Sequence, residues 1–226
     1  MQIEQVDEAL AEVFGRYSEK WQPADPLRKL IERVLGQRTT GAHVRRAFEN
    51  LQAHCSGGWA DVTALPHDVL VDLIRPVGLA QPKAARVQGI LERIYQDQGA
   101  YTLDFLREMD LRSATRYLLT LPGVGDHTAA LVLMFGLGRP GVMPVDSHVH
   151  RVARRLGWAP HDASPKVVQQ AIEAAAPAMN MMDLHVNLGN LGHRECRSGM
   201  PDCPNCPVNH LCGTALRQPW WAEPGP

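Results

Sequence analysis

The sequence predicts an all-α fold. Apolar residues recur at helical spacing along nearly the whole chain, with helix start and stop residues between the runs. No stretch carries the apolar-polar alternation of a strong strand. The third observation is Leu121-Pro122-Gly123-Val124-Gly125, two glycines around one apolar residue, just ahead of an apolar run from Ala129 to Phe135. It reads as a tight turn between two helices. At 226 residues the chain is long enough for one large domain or two modest ones, each with a core of its own.

Composition narrows the partners. Apolar and charged fractions of 45% and 21% are ordinary, and neither a low-complexity tract nor an internal repeat is present. A net charge of -1 and a pI near 6.8 exclude a global basic field, so any nucleic-acid footprint must be local. Of the 23 Lys+Arg residues only four are lysines, Lys20, Lys29, Lys83 and Lys166. Arginine's planar fork suits phosphate, and few amines remain as nucleophiles. The longest apolar stretch, Ala129 to Gly138, is far short of the roughly 20 residues that span a bilayer. Met1-Gln2-Ile3-Glu4 does not open a signal peptide. The expectation is a soluble cytoplasmic protein with no membrane partner.

Each element has its own signal. Residues 2 to 17 place Ile3, Val6, Leu10, Val13, Phe14 and Tyr17 on one helical face. Asp25-Pro26 supplies cap and first turn for a helix burying Leu27, Leu30, Ile31, Val34 and Leu35, which stops at Gly36. Gln37-Arg38-Thr39-Thr40 leads into a helix carrying Val44, Ala47, Phe48 and Leu51, and the loop from Cys55 to Trp59 holds an incidental thiol. Pro66 opens a helix through Leu70, Leu73 and Ile74, and Pro76 to Ala84 is a turn. Helices near 82 to 97, 102 to 108 and 111 to 119 lead into the glycine hairpin. Asp146 then precedes a helix with a basic face of His148, His150, Arg151, Arg154 and Arg155, and by position alone it is a helix cap. Ser164-Pro165 starts another helix, and Asn180 to Gly192 forms the last, with Met182, Leu184, Leu188 and Leu191 inside. The tail from Gln218 to Pro226, with Trp220 and Trp221, has no assignment.

Two places carry chemistry. A glycine turn ahead of a helix lets backbone N-H groups face an anion, so the hairpin is a candidate phosphate clamp as well as an ordinary connection. Cys196, Cys203, Cys206 and Cys212 have the spacing C-x6-C-x2-C-x5-C, and in a reducing compartment such a quartet is a metal or cluster site rather than a disulfide framework. Structural zinc and a four-iron four-sulfur cluster both accept four thiolates.

The hairpin LPGVG, the TA two residues on, VDSH and HRVARRLG together resemble the helix-hairpin-helix DNA glycosylase superfamily, most of all its endonuclease III branch. The L-x-Q-x-T pattern at Leu35 to Thr39, the G-L-x-x-x-K-A pattern at Gly78 to Ala84 and the cysteine spacing extend the resemblance over residues 25 to 212. It implies a two-lobed fold: a six-helix barrel over 25-138 ending in the hairpin helix, and a discontinuous lobe of 1-24 and 139-226 carrying a 4Fe-4S cluster on the four cysteines. It also implies a monomer acting on double-stranded DNA that contains damaged bases or abasic sites. Gly123, Val124, Gly125 and Thr128 would grip the DNA backbone. Gln37 would fill the gap left by an extruded base, Leu79 would wedge between bases, and Asp146 would stand at the mouth of the base pocket. One position departs: where bifunctional members carry a nucleophilic lysine, two residues after the second hairpin glycine, this chain has His127.

Histidine forms no stable imine, because its ring nitrogens belong to an aromatic system. The expected activity is base excision by a DNA glycosylase that uses Asp146 and water, with AP-lyase activity weak or absent and His127 a base or hydrogen-bond donor. If an amine is needed, Lys29 and Lys83 come first, because each lies close in sequence to a proposed wedge residue. Gly125→Val is expected to weaken DNA binding by blocking the tight turn. The alternatives are a non-catalytic binder of damaged or bent DNA and, more distantly, a zinc-dependent DNA-binding protein. Pocket shape, which no short motif records, selects the base.

Overall fold

Helix boundaries follow from local chemistry in the computed structural model, which describes residues 2-22 and 24-217. Helix α1 (Ile3–Phe14) buries Ile3, Val6 and Leu10. Its apolar spacing runs on to Tyr17, but Gly15 turns the chain at a φ of 80°, and Val13 and Tyr17 are exposed. In α2 (Pro26–Leu35) the Asp25 carboxylate accepts the Leu27 N-H at 2.9 Å, Pro26 opens the first turn, and Gly36 ends the helix. Thr40 caps α3 (Gly41–His54), and two short helices follow, α4 (Trp59–Ala64) and α5 (His67–Leu73). A 3-10 turn, Arg75–Val77, precedes the 19-residue α6 (Ala80–Gln98). The segment predicted as a helix over 102 to 108 is a single 3-10 turn, Asp104–Arg107. Asp110 caps α7 (Leu111–Thr120), and α8 (Asp126–Leu131) runs into a π-turn, Val132–Gly136.

The chain divides into two compact units, Pro23–Gly138 and Met1–Gln22 with Arg139–Pro226. In the first, α2 is the central element, packed against the π-turn, α6 and α8 with Leu27, Leu30, Ile31, Val34 and Leu35 fully buried. Gly136 permits that packing, since a Cβ there would lie 2.9 Å from Pro26 Cα. Arg107 donates to the carbonyls of Gly136 and Leu137 at 3.4 and 3.3 Å, holding the end of the turn.

The second unit contains α9 (Ser147–Leu156), α10 (Pro165–Ala175), α11 (Met182–Arg194) and α12 (Gly213–Arg217). Helix α11 packs on both α1 and α9. Buried polar contacts tie the N-terminal segment to it: Asp183 accepts the Ser18 N-H and hydroxyl at 2.7 and 2.6 Å, and Asn187 donates to the Gly15 carbonyl at 3.0 Å. Asp7 meets Arg16 at 3.2 Å, yet burial raises its carboxyl above the ordinary aspartate range. Among the described residues there is no strand, and no helix is long and apolar enough to cross a membrane. Trp220 and Trp221 lie outside the described residues.

Candidate functional site

In the 23-138 unit three loops are joined through the first turns of α6. Lys83 is 2% exposed, and its ammonium donates to the Leu35 carbonyl at 2.8 Å and the Val77 carbonyl at 2.9 Å. Leu35 and Val77 each lie two residues ahead of a sequence-predicted wedge residue, Gln37 and Leu79, so one buried cation ties the two loops together. Burial, followed by the nearby Arg86, lowers the Lys83 amine below the usual lysine range. Lys83 therefore does not serve as a reserve nucleophile: its amine is enclosed and engaged. Lys29 is paired with Glu32 at 3.0 Å.

One turn on from Lys83, Arg86 donates to Gln37 Oε1 at 2.9 Å, and Gln37 Nε2 donates to the Gly123 carbonyl at 3.2 Å. Gln37, Arg38, Leu79, Pro82, Lys83 and Arg86 line one concavity of about 280 Å³. Leu79 is 60% exposed at its rim, not tucked against its own unit. Arg38 and Leu79 both hold left-handed backbone, φ 55° and 48°, a strained state for residues with a Cβ and one that clusters at functional positions.

The hairpin glycines differ. Gly123 has a φ of 74°, and a Cβ there would meet Arg86 Cδ at 2.7 Å. Gly125 caps α8 at φ -107°, open to any residue, and its Cβ would face empty space. The expectation that Gly125 makes the tight turn is corrected: Gly123 does, because only its conformation excludes a side chain. Val124 and Thr128 are buried, so the hairpin presents backbone rather than these side chains. Half-buried His127 has Nε2 3.4 Å from the Arg33 guanidinium, which can only donate. In that contact Nε2 can serve only as the acceptor.

In the other unit Asp146 is the N-cap of α9. Its Oδ1 accepts the N-H groups of both His148 and Val149 at 2.8 Å, which leaves Oδ2 outside the cap. Two arginines of the basic face of α9 hold the cysteine-bearing chain, while Arg154 donates to the His161 carbonyl. Arg151 donates to the carbonyls of Cys196 and Gly192 at 2.9 and 2.8 Å, and Arg155 to Arg197 at 2.6 Å. Arg155 also reaches the Cys196 sulfur at 3.4 Å, and its own carbonyl accepts from Cys212 and Thr214 at 3.2 and 2.7 Å. Sequence spacing placed these residues on one face but held no sign of their long-range acceptors.

Cys196, Cys203, Cys206 and Cys212 line a single cavity with Arg155. Burial pushes the Cys206 thiol up to about 12, and burial with the neighbouring thiols raises Cys203. Those two thiols ionise more readily beside a cation. Among the described residues no group of three or more His, Cys, Asp or Glu is placed to hold a metal ion. Cys55, buried elsewhere, takes no part.

Residues 31–178 match the family described as HhH-GPD superfamily base excision DNA repair protein. Endonuclease III of Thermotoga maritima is 31% identical over 92% of this chain and 92% of that protein. The Bacillus subtilis Endonuclease III is 28% identical over 93% and 91%. Among solved structures, a trapped Endonuclease III-DNA covalent intermediate superposes with a TM-score of 0.76, at 28% identity and 96% coverage of both chains. A thermostable thymine-DNA glycosylase, 21% identical over 96% of this chain and 98% of its own, shares the fold with a TM-score of 0.78. Hairpin, capped aspartate and all-helical units thus define the class, a base excision repair DNA glycosylase of the endonuclease III type. The chain belongs to the HhH-GPD superfamily of base excision DNA repair proteins.

Proposed function

We propose that the protein, acting as a monomer on double-stranded DNA, extrudes a damaged base and hydrolyses its N-glycosidic bond with Asp146, with little or no strand scission at the abasic product. The observation that carries this reading is the Asp146 carboxylate: two helix N-H groups fix Oδ1 and leave Oδ2 uncommitted. As the bond from C1′ to the base breaks, positive charge grows on the sugar. A carboxylate oxygen held in place stabilises that charge and orients the water that adds to C1′. Extrusion is needed because a stacked base cannot be reached. Leu79 at the rim and Gln37 in the same concavity are suited to hold the gap, and the hairpin backbone to hold the strand. His127 supplies no amine for an imine, and its Nε2 is an acceptor toward Arg33.

The four cysteines are assigned to a 4Fe-4S cluster. Four thiols lining one cavity match the four irons of such a cluster one to one, and the C-x6-C-x2-C-x5-C spacing is part of the endonuclease III resemblance. When bound, the cluster would cross-link the Cys196 to Cys212 loop and supply a redox-active centre.

A panel of lesion-bearing duplexes tests the reading. Asp146→Asn should lower excision by at least about 100-fold. Asparagine caps helices as well as aspartate, so melting temperature and affinity for abasic-analogue DNA should hold. Equal excision by the variant would move the chemistry elsewhere, and tight binding with no excision of any lesion by the wild type would favour the non-catalytic binder. The same preparation should contain about four irons per chain; stoichiometric zinc in their place would overturn the cluster.

A further inference from the structure

We propose that Arg86 is a positioning residue that fixes the polarity of the Gln37 amide, and through it sets which bases are preferred opposite the extruded nucleotide. The proposal rests on the reading of Gln37 as the residue that fills the gap.

A glutamine amide has two N-H donors and a carbonyl with two lone pairs, and it is symmetric enough in shape to work either way round. Here it is held one way. Arginine can only donate, so the end that meets Arg86 at 2.9 Å is the oxygen; a carbonyl can only accept, so the end that meets Gly123 at 3.2 Å is the nitrogen. One N-H and one lone pair are left over, in a fixed order. Arg86 is itself constrained, because its aliphatic stem lies where a Cβ on Gly123 would be, 2.7 Å away at Cδ. Arg86 sits one turn after Lys83, whose two buried hydrogen bonds set the loops on either side.

A residue that fills the gap faces the orphaned base. Along the pairing edge, adenine and cytosine present an amine donor and then a ring-nitrogen acceptor. Guanine and thymine present a carbonyl acceptor and then a ring N-H donor. An amide of fixed polarity matches one order and opposes the other, whereas an amide free to turn over matches both. Arg86 thereby converts an indifferent gap filler into a reader of the opposite base.

The test is binding to duplexes carrying a tetrahydrofuran abasic analogue opposite A, C, G or T, which requires no knowledge of the lesion. Wild-type affinity should split the four into A and C against G and T, by about fivefold or more. Arg86→Met keeps the stem over Gly123 and loses the donor, so the split should collapse to within about twofold while the melting temperature holds. Arg86→Lys, which retains one donor, should restore part of it. Gln37→Ala should remove the split, and adding Arg86→Met to Gln37→Ala should change nothing more, since both act through one amide.

Five results overturn the proposal. An even wild-type affinity for all four duplexes, or no binding to any, removes its basis. A split that survives Gln37→Ala means the gap reading of Gln37 fails too. Loss of the split in Gln37→Ala but not in Arg86→Met leaves Gln37 in the gap and discards Arg86 alone. An equal loss of affinity on all four duplexes, persisting in the Gln37→Ala background, makes Arg86 a phosphate contact instead.

Discussion

In the 23-138 unit one buried ammonium, Lys83, ties the backbone behind Gln37 to the backbone behind Leu79; in the other unit the half-exposed Arg151 and Arg155 hold the cysteine-bearing chain through several carbonyls. Both arrangements use helix-borne cations to fix loops that make few regular bonds of their own. They differ in redundancy and in solvent. Around Lys83 two loops rest on one enclosed atom, and Arg38 and Leu79 stand nearby in left-handed backbone that relaxes if the tie is lost. Around α9 the bonds are shared among several donors of Arg151 and Arg155. The loops that carry Gln37 and Leu79 are thus all-or-none, while the cysteine loop is graded.

The largest expected effect tests that contrast directly. Lys83→Met fills the space but leaves the Leu35 and Val77 carbonyls buried without a donor, and relief of the buried charge offsets only part of that loss. Destabilisation should be about 2–4 kcal/mol, measured by denaturant titration. Arg155→Met should cost about 1 kcal/mol or less, because its acceptors lie near water. Equal losses in the two variants would erase the distinction between the units.

How far the sequence anticipates this depends on range. The start of α2 at Asp25-Pro26 and its stop at Gly36 are local events, and local residues report them. So is the cap at Asp146, although the sequence does not reveal that both cap bonds fall on one oxygen. The bonds from Lys83 to Leu35, from Arg86 to Gln37 and from Arg151 to Cys196 and Gly192 join residues 41 to 49 apart, and no periodicity encodes them. Residue type also fails to tell which hairpin glycine needs to be glycine, because φ is set by the fold around it. The overrun of α1 to Tyr17 has the same origin: apolar spacing continued past a glycine that turned the chain.

A smaller effect separates the hairpin glycines and sharpens the picture of the 23-138 unit. Gly123→Val forces a branched side chain into left-handed backbone and against Arg86, so it should destabilise by about 1–3 kcal/mol and disturb Gln37 as well. Gly125→Val should leave stability unchanged, since its backbone is extended and its Cβ faces open space. If the hairpin backbone meets phosphate there, duplex affinity should still fall and its salt dependence should flatten. Unchanged affinity in Gly125→Val would show that DNA does not approach this side of the turn.

The smallest expected effect is a gain, and it concerns His127, which stands where the resemblance leads one to expect a lysine. Borohydride traps only an imine, so the wild type should give no trapped complex through this position with abasic DNA, and His127→Lys should give a modest one. Two neighbours act on the new amine in opposite senses. Asp126 precedes it and favours the protonated form, while the Arg33 guanidinium, 3.4 Å from the present ring, repels a second cation and favours the neutral nucleophile. Each unit by which the amine pKa falls raises the neutral fraction about tenfold at neutral pH. Adding Arg33→Met to His127→Lys should therefore reduce trapping, and adding Asp126→Arg should increase it. Trapping that is strong in the wild type and survives in a folded His127→Ala variant would point to another amine. Lys83 is excluded from that role by its two buried hydrogen bonds, so Lys29, freed from Glu32, and the N-terminus would be substituted or blocked first.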